Sequence, residues 1–190
     1  MGQTIIEDQS FQSVDFTLNE FSGEAYERCT FINCIFINAD LSRSSFMDCE
    51  FVDCDLTMAK THNTALQSVR FIRSKLLGVQ LGNCNPFLFE VSFEKCSLNL
   101  ASFYRMKMKG TSFHTCNLQE ADFSATDLSN ASLIDCDLAG AIFDHTILEK
   151  ADLRHSINYS IDPELNRIRK ARFSFDGVPG LLNKYQIDIE

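Results

Sequence analysis

The chain has 190 residues and carries 26 acidic against 17 basic side chains, for a net charge of −9. That balance argues against direct nucleic-acid binding, because duplex DNA is itself a dense polyanion. Eight cysteines occur without a C-x2-C pair, and neither a bilayer-length apolar run nor a secretory leader is present, so the expected setting is cytoplasmic and reduced, with no membrane partner.

Residues 1–10 read as an N-terminal cap. From Phe11 onward a large apolar residue recurs at every fifth position, as in Phe11, Phe16, Phe21, Tyr26, Phe31 and Phe36, and the beat runs to Leu81 with Thr61 as its one lapse. It then jumps by two residues within 82–87, resumes at Leu88 and continues through Phe93, Leu98, Phe103 and Met108 to Leu153. Five matches neither the 3.6 of a helix nor the 2 of a strand, and a fixed internal period means a repeat architecture. Two residues before each large one stands a small one, such as Cys29, Cys34, Ala39 and Ser44. Two inward positions at strand parity, followed by three residues, describe a short extended side and a tight corner. Chains that repeat this unit wind into an all-β solenoid with sides stacked as parallel strands.

Three departures from the beat follow in order. Glu24 at an inward position marks an imperfect first coil. Residues 57–64 contain the Thr61 lapse. Residues 82–87 hold the insertion, with Asn83, Asn85, Pro86 and Phe87 expected to protrude, since interruptions in a solenoid bulge outward. The first domain, residues 1–156, ends with the beat, and 157–190 form a capping and dimerisation tail. Asp162-Pro163-Glu164 has the look of a helix start. Residues 171–175 suit an extended piece, and Pro179 through Tyr185 a second short helix.

The plainest repeats, Ala39-Asp40-Leu41-Ser42-Arg43, Ala121-Asp122-Phe123-Ser124-Ala125 and Ala151-Asp152-Leu153-Arg154-His155, resemble the pentapeptide-repeat family over residues 6 to 156. The resemblance implies a right-handed quadrilateral β-helix with four pentapeptides per coil and a short helical C-terminal cap. Residues 20 apart then stack, or 22 apart across the jump, in a rod ~36 Å long. Under that stacking all eight cysteines are inward, and one column reads Cys34, Cys54, Ser74, Cys96, Cys116, Cys136. They serve as small buried hydrophobes, so no metal, cofactor or catalytic set is expected. Phe31, Phe51 and Phe71 should share one column, and Phe103, Phe123 and Phe143 another.

In the tail, Asn158-Tyr159-Ser160-Ile161-Asp162, Arg169-Lys170-Ala171-Arg172-Phe173-Ser174 and Leu181-Leu182-Asn183 resemble the albicidin-resistance branch of that family, related to the Qnr, MfpA and McbG proteins. The resemblance implies a bacterial protein that acts on DNA gyrase or topoisomerase IV as a DNA-mimicking dimer joined through its C-terminal segment. Leu181, Leu182, Tyr185, Ile187 and Ile189 are the corresponding candidates for the dimer interface. A two-residue insertion is far smaller than the loops of quinolone-protecting Qnr proteins, which makes the compact members the closer match.

Charge is laid out in blocks. Residues 7–55 carry eleven acidic side chains against Arg28 and Arg43, residues 56–109 carry Glu90 and Glu94 against eight basic ones, and residues 110–156 carry eight acidic against Lys150 and Arg154. The first block places nine net charges in ~12 Å, close to the DNA density of one per ~1.7 Å. Candidate topoisomerase contacts are therefore Glu50, Asp53, Asp55, Glu120, Asp122, Asp127, Asp135 and Asp137. The basic waist fits either ladders of opposite charge (Glu50 below Arg70, Asp53 below Arg73, Asp55 below Lys75, Lys107 below Asp127) or a patch around Arg73 and Lys95. The outward column Ile32, Val52, Ile72 reads as strand shielding or a partner stripe. Histidines are scattered and no nucleophile or phosphate-loop motif occurs, so the chain is read as a non-enzyme. Two functions stay open: a topoisomerase-directed protein, or a β-helical scaffold for some other protein.

Overall fold

A chain that turns every five residues needs a corner that ordinary backbone resists. Along the regular coils the residue two after the large one supplies it by adopting positive φ, as in Arg28 (52°), Asn33 (51°), Asp53 (54°), Arg73 (48°), Glu120 (55°) and Lys150 (60°). Asn, Asp and Gly tolerate this region best, and Gly78, Gly110 and Gly140 occupy three of the corners. One of the two positions that look free in the motif is thus under a backbone constraint.

The computed structural model describes residues 4–17 and 24–189; Phe21, an expected core position, lies outside the described residues. Thirteen short strands follow in chain order: β1 (Ile5–Glu7), β2 (Ser10–Gln12), β3 (Ala25–Glu27), β4 (Thr30–Ile32), β5 (Ser45–Met47), β6 (Glu50–Val52), β7 (Ala65–Gln67), β8 (Val69–Ile72), β9 (Val91–Glu94), β10 (Ser112–His114), β11 (Ser132–Ile134), β12 (Asp152–Leu153) and β13 (Arg172–Phe173). All pairings are parallel. One face is the nine-stranded stack β2-β4-β6-β8-β9-β10-β11-β12-β13, here face 1. Faces 2 and 3 are held by single bridges, for example Asp55–Lys75–Ser97–Asn117–Asp137–Ile157 on face 2 and Ser102–Asp122–Ile142 on face 3. Face 4 begins as β1-β3-β5-β7 and continues as Lys107–Asp127–Ile147–Arg167. Phe11 pairs with Phe31 at an offset of twenty residues, and Phe71 with Phe93 at twenty-two. The result is a four-sided parallel β-solenoid.

The core is a set of vertical columns. On face 1, Phe31, Phe51 and Phe71 stack with ring centroids 4.7 and 5.0 Å apart, and on face 3 Phe103, Phe123 and Phe143 do so at 4.9 and 5.3 Å. Rings of adjacent faces meet edge-on, as do Phe36 and Phe51 at 5.6 Å. Both arrangements suit the aromatic quadrupole.

The small inward residue does more than fill space. Thr64, Thr126 and Ser156 donate to the carbonyls of Leu41, Phe103 and Leu133 in the coil below at 2.8, 2.7 and 2.6 Å. The thiols of Cys54 and Cys96 reach Phe31 O and Phe71 O at 3.3 Å in the same way. A core-facing carbonyl is better satisfied than bare, and a thiol is a weak donor. Cys, Ser and Thr therefore interchange at this position, and every cysteine is free and buried.

Several expectations need correction. Residues 5–12 are not a separate cap, because β1 and β2 already pair with the next coil. Residues 57–64 do not bulge: Thr61 is buried and its hydroxyl donates to Gln80 O at 2.7 Å, which lets a polar side chain stand in the core. Leu88 is not inward; it takes a corner conformation (φ 56°) and is exposed, while Phe89 packs against the core instead. No helix starts at Asp162-Pro163-Glu164. There the Asp162 carboxylate accepts the Glu164 amide at 2.8 Å and the chain makes a single turn. Coil geometry also persists beyond His155, through the Ile147–Arg167 bridge to β13.

Two 3-10 segments, Phe175–Leu181 and Asn183–Tyr185, close the C-terminal end. The first sits on Tyr159, whose ring lies 5.7 Å from that of Phe173, and the second is tied to Asp162 and Glu164 through Lys184. A Cβ at Gly177 would fall 2.0 Å from the Tyr159 hydroxyl oxygen, and one at Gly180 would fall 2.3 Å from its carbonyl oxygen. Glycine is required at both places by close approach.

Candidate functional site

The acidic residue beside each large one has a local task. Asp55, Asp122, Asp127 and Asp137 each accept the amide two residues on, from Thr57, Ser124, Ser129 and Ala139, at 2.8–3.1 Å. These bonds brace the corner. Their presence at candidate contacts therefore has a structural cause, and what matters for recognition is which charges remain uncompensated.

Four of the eight candidates are paired with cations from neighbouring coils. Arg70 bonds Glu50, Arg73 bonds Asp53 through two donors at 2.7 and 2.6 Å, and Lys75 lies 3.7 Å from Asp55. Asp127 is paired with Lys109 at 3.4 Å. Its expected partner Lys107 is in register below it, but Lys109, two residues along the same coil, makes the contact. The Arg73 guanidinium, through its hydrogen bonds, holds the Asp53 carboxyl below the usual carboxylate range. Partial burial works against the Asp127 charge, yet the Ser129 hydroxyl and amide and the Lys109 ammonium outweigh it and lower its pKa. The basic waist is thereby largely spent: Arg73 serves Asp53, and Lys95 lies 3.7 Å from Glu94. Ile32, Val52 and Ile72 stack in register and are half-buried, as shielding residues are.

Glu120, Asp122, Asp135 and Asp137 are different. Among the described residues none of them has a Lys or Arg partner within 4.0 Å. The fold brings them to the borders of face 2 within two successive coils: Asp135 at its leading corner, Asp137 in its ladder, Glu120 at its trailing corner and Asp122 just beyond it. Burial alone would raise the Asp137 pKa, but neutral donors from Asn158 and Gln119 and the Ala139 amide lower it. Those two side chains bond it at 2.8 and 2.6 Å without cancelling its charge.

Two apolar features lie away from this surface, one on face 4, opposite face 2, and one at the C-terminal end. The insertion places Pro86-Phe87-Leu88 on the outside, with Phe87 75% exposed and its amide bonded to Asn85 Oδ1 at 2.9 Å. Asn83 O and Asn85 N bond residues 63 and 64, which ties the base of the insertion to the coil below. A groove of about 320 Å³ lies beside it, lined by Ser68, Arg70, Phe89, Glu90 and Lys109. At the C-terminal end Tyr185, Ile187 and Ile189 are exposed. Leu181 packs on the chain's own core, and Leu182 is half-buried. Phe175, which the sequence reading did not single out, is 89% exposed. Its spacing of two from inward Phe173 suggests burial, but a 3-10 segment begins at Phe175, just after the extended Ser174, whose hydroxyl accepts the His155 amide at 2.7 Å.

Among the described residues no group of His, Cys, Asp or Glu is arranged to hold a metal ion. No helix there is long and apolar enough to cross a membrane.

These features define a four-sided parallel β-solenoid with a packed core. The family model for pentapeptide repeats matches residues 27–60, 88–124 and 116–154 in eight copies, more than half of the chain, and the protein belongs to that family. No curated protein matches it by sequence. Among solved structures it is similar to QnrB1, described as a plasmid-mediated fluoroquinolone resistance protein, at 20% identity over 100% of both chains with a TM-score of 0.49. It is also similar to HetL, involved in heterocyst differentiation regulation in the cyanobacterium Nostoc, at 16% identity over 88% of this chain and 81% of that one, with a TM-score of 0.63. A third is Rfr23 from a Cyanothece cyanobacterium, at 11% identity over 90% and 88% with a TM-score of 0.21. At these identities the likeness concerns the fold alone.

Proposed function

We propose that this protein binds a type II topoisomerase, DNA gyrase or topoisomerase IV, and modulates it or protects it against a topoisomerase poison. It does so as a homodimer joined through its C-terminal tail, without catalysis of its own. The observation that carries the reading is the uncompensated set Glu120, Asp122, Asp135 and Asp137. Four such charges over two coils of ~4.8 Å amount to one per ~2.4 Å, approaching the one per ~1.7 Å of duplex DNA. They stand on a rigid frame, so the charge pattern is preorganised as in the duplex it would imitate. The N-terminal block, denser in sequence, contributes less because Arg28, Arg70, Arg73 and Lys75 offset much of it. Exposed Phe175, Tyr185, Ile187 and Ile189 supply the apolar area that a tail-to-tail joint would cover.

A second reading is a β-helical scaffold for a protein unrelated to topoisomerase. Exposed Ile37, Met58, Leu77 and Leu100, on face 2 and its trailing corner, favour it. A gyrase supercoiling titration with the purified protein, with and without a quinolone or albicidin, separates the two. Inhibition, or rescue of the poisoned enzyme, at low micromolar protein supports the first. A folded, dimeric protein that changes nothing in either assay leaves the scaffold.

A further inference from the structure

The last coil carries a surface of the opposite sign. Lys150 and Lys170 occupy successive corners of one column, both at positive φ (60° and 61°), about one strand spacing (~4.8 Å) apart. Arg169 precedes the second of them, and Arg172 stands on the adjoining rung. Like charges stacked on neighbouring strands repel. Elsewhere in the rod stacked charges are offset by carboxylates, as in Arg28 with Asp8 or Arg73 with Asp53. Here the nearby carboxylates are already engaged. Glu149 accepts two bonds from Arg167 at 3.1 and 2.7 Å, and Asp152 is held by Arg154 at 2.8 Å, with Arg172 at 3.7 Å. Lys150, Arg169 and Lys170 have no carboxylate partner within 4.0 Å among the described residues.

Two further observations suit this corner to a ligand. A cleft of about 530 Å³ opens between this corner and face 1, lined by Asn130, Ser132, Lys150, Asp152, Lys170 and Arg172, so three cations and neutral donors converge on a concave space whose one carboxylate, Asp152, is already ion-paired to Arg154. The end of the solenoid also frees a backbone donor. In the coils below, the corner amides of Gly110, Asn130 and Lys150 donate to Ser129 O, Glu149 O and Arg169 O of the coil above. Among the described residues no coil lies above Lys170 and its amide has no acceptor.

The structure assigns this corner as a binding site for a small phosphate-bearing anion, gripped by the Lys150 and Lys170 ammonium groups, the Arg172 guanidinium and the Lys170 amide. Arg supplies the planar fork and Lys the point charge that phosphate oxygens accept. A compact ligand is favoured over an extended polyanion because the patch spans two coils of a chain whose net charge is −9.

The test is calorimetric titration of the full-length protein with inorganic pyrophosphate at low salt, with a 20-base-pair DNA duplex as a second titrant. Saturable pyrophosphate binding that weakens with salt is expected, and it should fall at least about tenfold in Lys150→Ala/Lys170→Ala. A control, Lys60→Ala/Lys75→Ala, removes two lysines elsewhere and should bind as the parent does. Circular dichroism melting should show both variants folded; if Lys150→Ala/Lys170→Ala is not, Lys150→Gln/Lys170→Gln replaces it in the same titration. Absence of saturation in the parent, equal loss in the control, or unchanged affinity in the lysine variant would overturn the assignment. So would a duplex that binds more tightly than pyrophosphate.

Discussion

Phe51 offers the sharpest test of how the rod is held together. It is 1% exposed, stacked between Phe31 and Phe71, and edge-on to Phe36 and Phe46 at 5.6 and 5.4 Å. Phe51→Ala removes the ring from a site whose walls are strands that cannot collapse inward, so a loss of ~3–5 kcal/mol is expected. That is a large part of the ~5–15 kcal/mol that stabilises a typical domain. Phe51→Leu should cost less than ~1.5 kcal/mol, since the same column carries buried Leu133 and Leu153 farther up. In a solenoid each coil contacts only its neighbours, so the damage should be local. Hydrogen exchange is the assay. In Phe51→Ala the amides of residues 25–72 should lose protection, while those of 112–153 keep most of theirs. A uniform loss along the rod, or a denaturation midpoint equal to that of the parent, would refute the column account.

Gly177→Ala and Gly180→Ala should each dislodge the end cap from Tyr159, lowering stability by at least ~1 kcal/mol and making the tail sensitive to limited proteolysis; unchanged melting and cleavage patterns would count against the close-approach argument. The thiols supply a pH test. Burial pushes Cys49 up to about 11 and Cys54 up to about 12 from an ordinary 9.0. The folded state therefore keeps protons that the unfolded chain releases. Their contribution is whole below pH 9 and is lost as pH rises toward 11, at about 1.4 kcal/mol per pH unit for each thiol. Denaturation midpoints from about pH 8 to pH 10.5 should show that fall, and a thiol reagent should modify no cysteine until the protein unfolds. For the joint, Tyr185→Ala with Ile187→Asp and Ile189→Asp should give monomers by light scattering, because these side chains are exposed and their loss leaves the core intact; a dimer that persists removes the tail-to-tail arrangement. Leu181 is unsuited to this purpose, since it packs on its own core.

The beat of five carried most of the fold, because each unit must bring one large and one small residue inward and keep both in register. The Phe columns, the buried cysteines and the Glu50–Arg70 and Asp53–Arg73 pairs all follow from stacking at twenty. What the sequence hid has local causes. Leu88 continues the beat in the sequence, but next to the two extra residues it takes the left-handed corner conformation and Phe89 packs on the core instead. The lapse at Thr61 looked like a break until the Gln80 carbonyl supplied an acceptor. Ile168 and Phe173 keep the period after Asn158 and Pro163 have obscured it, so the solenoid runs on beyond its visible motif. For the surface, charge blocks counted along the sequence favoured residues 7–55. Pairing across coils shifts the uncompensated charge to residues 120–137, and the partner need not be the residue in register, as with Lys109 and Asp127. Gly177, Gly180 and Phe175 left no periodic signal, because the cap obeys contact rather than repetition.

The central claim is that uncompensated carboxylates on a rigid rod bind a topoisomerase. Gyrase affinity, measured at two salt concentrations, should be compared between the parent and the variant Glu120→Lys/Asp122→Asn/Asp135→Lys/Asp137→Asn, in which asparagine keeps the corner bonds and lysine reverses the free charges. Salt-sensitive binding by the parent and at least about tenfold weaker binding by a folded variant is the expected result. A parent that does not bind gyrase, or a variant that binds it equally well, would contradict it.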